Sequence, residues 1–306
     1  MDKYLVVIAG PTASGKTATA IQVAKALGTE IISADSRQFY KELPIGTAAP
    51  TKEEQAEVQH HMIHNLNVED KYDVADYEND VLQLLKKLFI KHDFVVLTGG
   101  SGLFINAVCK GLDSIPDISD ETRNRVNKLY KEGGLFALQN EVQRLDPEYY
   151  NIVDKYNPRR LQRAVEVCYQ TGLPYSSFRN NTAKPRDFKI IKVALFWDRN
   201  ELISRINIRV EKMVSEGLID EAKAMYPKRH LNSLNTVGYK EIFEHFDGKT
   251  SLNEAIEHIK INTRQYAKRQ MTWLRKNNDY QWFTIEEIPE MINYIKSIIN
   301  SENDNQ

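Results

Sequence analysis

The sequence predicts an α/β fold: a parallel sheet flanked by helices, interrupted by a helical insertion and followed by a helical C-terminal region. Three observations carry that expectation. Short apolar runs recur at residues 4–9, 30–34, 93–98 and 190–196, with helical patterns between most of them. The first run leads directly into Gly10-Pro11-Thr12-Ala13-Ser14-Gly15-Lys16-Thr17, a phosphate-binding loop that opens a helix. Between residues 114 and 186 strand patterns vanish, and stretches rich in Arg, Lys, Glu and Tyr take over.

Taken in order, Tyr4 to Ala9 reads as a buried parallel strand because it is apolar throughout. A helix follows over 16–27, then a strand over 30–34. Residues 74–91 read as a helix, with Val81, Leu84, Leu85 and Leu88 on its apolar side. Asp93 to Thr98 is the next strand, and Ile190 to Phe196 the last. Residues 198–214 read as an amphipathic helix capped by Asp198, with Leu202, Ile206, Val210 and Met213 facing inward. From there the chain is expected to be helical to about residue 276, with a polar tail, Ser301 to Gln306, that frays. The expected division is 1–113 with 187–306 as the phosphate-loop core and C-terminal helices, and 114–186 as the helical insertion.

Composition narrows the function classes. A chain of 306 residues with 42% hydrophobic residues can bury a full core, and the length allows about two domains. The net charge of −1 means that any nucleic-acid contact must come from a local patch. Cys109 and Cys168 are far apart and form no CxxC pair, so neither a zinc site nor a disulfide framework is indicated, and a reducing cytoplasm fits. No signal peptide is visible. The most apolar internal stretch, Phe94 to Cys109, is broken by Thr98-Gly99-Gly100-Ser101-Gly102, which argues against a membrane span.

The chemistry starts at the phosphate loop. Its backbone N–H groups can cradle a diphosphate, and the helix N-terminus adds positive partial charge. Lys16 supplies a point charge, and the Thr17 hydroxyl is placed to hold Mg²⁺. The second strand leads into Asp35-Ser36-Arg37-Gln38, and carboxyl ends of parallel strands face the ligand crevice. Asp35 fits a general base, an outer ligand of a metal, or a turn residue. The 93–98 strand ends without the acidic residue that hydrolysing phosphate-loop enzymes use to hold Mg²⁺, which lowers the odds of an ordinary ATPase. Arg205 and Arg209 are four apart on one helix face and suit a diphosphate or a nucleic-acid backbone, or form a solvated stripe. Residues 261–276 carry Arg264, Lys268, Arg269, Arg275 and Lys276 with Tyr266 and Trp273 interleaved and no acid between them, a nucleic-acid footprint. Arg159, Arg160 and Arg163 form a second basic knot. His60, His61 and His64 lack a suitably spaced fourth ligand and are read as structural.

Together these stretches resemble the tRNA dimethylallyltransferase (tRNA isopentenyltransferase) family, in its shorter bacterial form without a C-terminal zinc finger. The motifs run in order: Gly10 to Thr17, Ile32 to Gln38, Gly46-Thr47-Ala48, His60-His61, Thr98 to Gly102, Asn157 to Arg160, Val237 to Glu241, and Arg264 to Gln270 with Thr272-Trp273. The resemblance implies transfer of a dimethylallyl group from dimethylallyl diphosphate to the exocyclic N6 amine of the adenosine at tRNA position 37, beside the anticodon. It implies Mg²⁺ as cofactor, held at Thr17, and a cytoplasmic monomer that binds the tRNA anticodon stem-loop. Gly10, Pro11, Thr12, Ala13, Ser14, Gly15, Lys16, Thr17, Arg205 and Arg209 would bind the diphosphate. Asp35, Thr17 and Arg209 would be catalytic, with Asp35 accepting the amine proton. Asp35, Ser36, Arg37, Gln38, Arg159, Arg160, Arg163, Gly238, Lys240, Arg264, Lys268 and Arg269 would contact tRNA. Two alternatives share the phosphate loop: an adenylate isopentenyltransferase acting on free nucleotide, and a small-molecule kinase. Neither needs the basic, aromatic segment 261–276.

Overall fold

The computed structural model describes residues 2–179 and 182–303. Six strands form one sheet: β1 (Tyr4–Ala9), β2 (Ile31–Ser33), β3 (His60–His61), β4 (Phe94–Gly99), β5 (Lys189–Leu195) and β6 (Gln281–Phe283). Their order is β3-β2-β4-β1-β5-β6, and every pairing is parallel. The helices before the insertion are α1 (Lys16–Leu27), α2 (Lys52–Glu57), α3 (Val74–Lys91) and α4 (Gly102–Lys110). Those within it are α5 (Asp120–Leu145), α6 (Pro147–Ile152) and α7 (Pro158–Thr171). After it come α8 (Arg199–Ser215), α9 (Leu218–Met225), α10 (Tyr239–Phe246), α11 (Leu252–Lys276) and α12 (Ile288–Asn303). Among the described residues no helix is long and apolar enough to cross a membrane.

The chain divides into two compact units, Met1–Cys109 with Arg186–Gln306, and Lys110–Pro185. In the first, β1 is buried along its whole length, as the unbroken apolar run requires of a central strand covered on both faces. Leu5, Val7 and Ala9 pack into one layer with Val81, Leu85 and Ile105; Tyr4, Val6 and Ile8 pack into the other with Ala20, Val23 and Ala24. The register matters for function. Ala9 pairs with Gly99 on one side and Ala194 on the other, and Ser33 pairs with Thr98. Four strands therefore end level, and the segments leaving them emerge along one edge. Arg186, where the chain re-enters this unit, donates to the buried Glu78 (2.7 Å) and to the Val108 (2.8 Å) and Ala107 (2.7 Å) carbonyls, so the buried charge is paired and hydrogen-bonded.

The second unit is helical. Its core joins Val126, Leu138 and Val142 of α5, Tyr149 of α6, and Leu161, Ala164 and Val165 of α7. Helix α5 breaks at Gly134, whose φ of 62° and ψ of −157° suit only glycine. Asn157 accepts the Arg160 N–H at 3.2 Å and Pro158 opens the helix, so Asn157-Pro158 is a helix start.

Several elements escape the sequence pattern. β3 has two residues and β6 has three, too few to show a period, and β6 follows a region expected to be helical to residue 276. Helix α2 buries no side chain and is recognisable only by its capping box between Thr51 and Glu54. Helix α12 extends to Asn303, into the stretch expected to fray; residues 304–306 lie outside the described residues.

Candidate active site

The phosphate loop takes its shape from its own residues. Ala13 and Gly15 both have positive φ, 63° and 87°, and Gly15 is the cap from which α1 starts. Lys16 Nζ folds back to donate to the Pro11 carbonyl at 2.6 Å. Remote groups then grip the loop's backbone from outside. Trp197 Nε1 donates to the Ser14 carbonyl at 2.9 Å, and Arg205 Nε donates to the Ala13 carbonyl at 2.8 Å. The Arg205 guanidinium also lies over the Trp197 ring, 4.2 Å from its centroid.

Beside the loop is a cavity of about 210 Å³ whose lining includes Lys16, Thr17, Asp35, Gln38, Arg209 and Tyr266. Burial first, then neighbouring Arg209, push the Lys16 ammonium down against the opposing pull of Asp35, to about 7. Burial likewise lowers Arg209, and Asp35 opposes it. Lys16 and Arg209 share a poorly solvated space with Asp35, an arrangement that favours a polyanion. Asp35 Oδ1 accepts the Arg37 N–H at 3.0 Å. The turn role is thus present, and the same side chain still lines the cavity.

The predicted diphosphate pair divides. Arg209 lines the cavity and donates through Nη2 to the Thr47 carbonyl at 3.3 Å, whereas Arg205 braces the loop from behind. Arg37 is also committed, to the Asn232 (3.3 Å) and Ser233 (3.0 Å) carbonyls, which brings the turn ahead of Gly238 beside Asp35. Gln38 Oε1 accepts the Ser33 hydroxyl at 3.0 Å. Gly238 caps α10, its N–H donating to Glu241 at 2.8 Å; Lys240 is exposed. On α11, Lys268 and Arg269 are exposed while Ala267 and Gln270 are buried, so the basic side chains form an outer face. Arg159, Arg160 and Arg163 lie on α7 in the second unit, the first two exposed.

Two residues missing from the expected site stand out. Gln270, 7% exposed, accepts the Thr12 N–H at 2.8 Å and donates to the Gly100 carbonyl at 2.9 Å, tying α11 to the phosphate loop and to the end of β4. Tyr266, one turn earlier, reaches into the cavity, where burial and then the Asp35 charge push its hydroxyl up to about 12, so it stays a donor. A buried polar residue in an otherwise basic helix was the available signal. The glycines after β4 are explained by the same packing. A Cβ on Gly99 would strike the Ala34 carbonyl, one on Gly100 the Gln270 amide, and one on Gly102 the Trp273 ring. Of the histidines, His60 lines the cavity with its Nδ1 held 2.8 Å from the Val58 carbonyl, and His61 Nε2 meets Glu30 at 2.5 Å. Among the described residues no group of three His, Cys, Asp or Glu could hold a metal ion.

Fold and site together define an α/β enzyme of the phosphate-loop class, with Lys16, Arg209 and Asp35 on one cavity and Thr98-Gly99, not an acid, closing β4. A family model described as IPP transferase matches residues 38–277, and the chain belongs to that family. It is 50% identical over 302 residues to the tRNA dimethylallyltransferase of Christiangramia forsetii, covering 98% of this chain and 100% of that one. It is 49% identical over 298 residues to tRNA dimethylallyltransferase 1 of Phocaeicola vulgatus, covering 97% and 99%. The crystal structure of the full-length tRNA isopentenylpyrophosphate transferase from Bacillus halodurans superposes with a TM-score of 0.73 at 35% identity, over 99% of each chain. A eukaryotic dimethylallyltransferase, crystallised acting on tRNA, shares the fold with a TM-score of 0.82 at 22% identity, over 99% of this chain and 80% of that one. The chain is accordingly a prenyl-transferring enzyme.

Proposed function

We propose that this enzyme transfers the dimethylallyl group of dimethylallyl diphosphate to the N6 amine of adenosine 37 in tRNA. The observation that carries the reading is the cavity that joins Lys16, Arg209 and Asp35, in a chain whose close relatives are named for this reaction. The bond between C1 and the diphosphate oxygen breaks, and its electron pair leaves with the diphosphate. The amine lone pair forms the new C–N bond, and Asp35 accepts the amine proton. Negative charge growing on the leaving group is met by Lys16, Arg209 and loop N–H groups held in advance. Thr12 contributes its N–H to Gln270 instead, so its part is to fix the loop.

The donor set fits Mg²⁺. The chain offers the Thr17 hydroxyl on the cavity wall with Asp35 on the same lining, and Mg²⁺ commonly takes its remaining ligands from substrate phosphates and water. Bound there, it would neutralise charge on the departing diphosphate. Adenosine 37 must leave its stack for its amine to enter the cavity. Gln38 and Tyr266 line the cavity and are suited to meet the base, and exposed Lys268 and Arg269 to meet phosphates.

The test is label transfer. The protein is incubated with Mg²⁺, radiolabelled dimethylallyl diphosphate and either unmodified tRNA bearing adenosine at position 37 or AMP. Label on tRNA alone is the expected result. Label on AMP would move the enzyme to free nucleotides, and absence of transfer to either would overturn the reading.

A further inference from the structure

Glu221 lies on α9, outside the cavity lining, and its carboxylate is aimed at a backbone turn. Oε2 accepts the Ile45 N–H at 2.9 Å; Oε1 accepts the Gly46 N–H at 2.8 Å and the Tyr239 hydroxyl at 2.5 Å. Tyr239 is completely buried, and a Cβ on Gly46 would fall on its hydroxyl, so the turn is held against an immovable ring. Hydrogen bonds to a charged acceptor are the strong kind. The other side of the turn faces the site. The Thr47 carbonyl accepts Arg209 Nη2 at 3.3 Å, and the Ala48 carbonyl accepts Gln38 Nε2 at 3.3 Å. Arg209 needs such a hold, because it shares poorly solvated space with Lys16 and the two cations repel.

We infer that Glu221 is a positioning residue for the transfer reaction, anchoring the Ile45–Ala48 turn whose carbonyls aim Arg209 at the diphosphate and Gln38 into the cavity. The inference rests on the function proposed above. It also gives a physical role to Gly46-Thr47-Ala48 and to Tyr239, sequence motifs that supply no side chain to the reacting atoms.

Glu221→Gln tests it. The amide keeps one carbonyl acceptor but turns an NH₂ group toward an N–H donor. At saturating tRNA, KM for dimethylallyl diphosphate is expected to rise about tenfold with kcat changed less than about threefold. In an Arg209→Ala background the same substitution is expected to change KM by less than about twofold, because its effect passes through Arg209. Gly46→Ala, which pushes the turn from the Tyr239 side, is expected to show the same dependence on Arg209 and serves if Glu221→Gln does not fold. Unchanged KM in both variants, or an undiminished rise in the Arg209→Ala background, would overturn the inference. A wild-type enzyme that transfers nothing to tRNA would instead overturn the function it rests on.

Discussion

Gly10–Thr17 and Asp35–Ala48 line the same cavity, yet they take their bends from different sources. The first bends through its own Ala13 and Gly15, and its lysine closes back on its own Pro11 carbonyl; Trp197, Arg205 and Gln270 then brace a bend that the loop's own residues already favour. The second depends on partners far along the chain: Glu221 grips Gly46 across 175 residues, and Arg37 reaches the Ser233 carbonyl. A loop that carries its own conformational instructions can recur in many proteins and bind any diphosphate. A segment shaped by remote contacts exists only in this fold, which is where a particular reaction can be specified.

Substitutions can break or sharpen that contrast. The largest effect is expected at the remotely held segment. Asp35→Asn keeps an acceptor for the Arg37 N–H but loses the base, so turnover should fall roughly 10²–10⁴-fold. Single-turnover rates near those of the wild type would remove Asp35 from the chemistry. Next is Gly99→Ala, whose methyl would press on the Ala34 carbonyl just before Asp35 while leaving the phosphate loop untouched. It should cost about 1–3 kcal/mol of stability in denaturant titrations; no change in the midpoint would show that β2 yields freely.

Helix α11 ties the phosphate loop to the end of β4 through Gln270 while turning its basic side chains outward. Lys268→Glu with Arg269→Glu should weaken tRNA binding and flatten its salt dependence by about two units of slope, with KM for dimethylallyl diphosphate unchanged. An unaltered slope would take these residues out of the RNA interface. The smallest effect concerns the phosphate loop. Lys16 loses its proton near pH 7 in the free enzyme, and a bound diphosphate favours the ammonium. Binding above pH 7 therefore takes up a proton, and KM for dimethylallyl diphosphate should rise as pH climbs from 7 toward 8.5. Lys16→Met should abolish that rise; a dependence that persists would locate the titrating group elsewhere.

Much of this was legible in the residues. The runs that became β1, β4 and β5 are apolar because strands covered on both faces have no solvated side, and α8 shows its buried Leu202, Ile206, Val210 and Met213 at helical spacing below an Asp198 cap. β3 and β6 were not legible, since two or three residues pair only because a longer neighbour offers them an edge. Nor was the divergence of Arg205 and Arg209. Spacing places both on one face, but only the neighbouring Trp197 and Thr47 decide that one braces the loop and the other enters the cavity. Gln270 and Glu221 belong to the same class, as polar residues whose partners lie on other elements.

By itself the sequence determined what depends on local backbone chemistry and burial: the phosphate loop, the central strands, the caps, the basic face of α11. The tertiary structure decided which side chains meet at the level ends of β1, β2, β4 and β5, and how each is aimed. Conformational preference and hydrophobic period act over a few residues, whereas a hydrogen bond between Glu221 and Gly46 exists only once the sheet and its helices have brought them together.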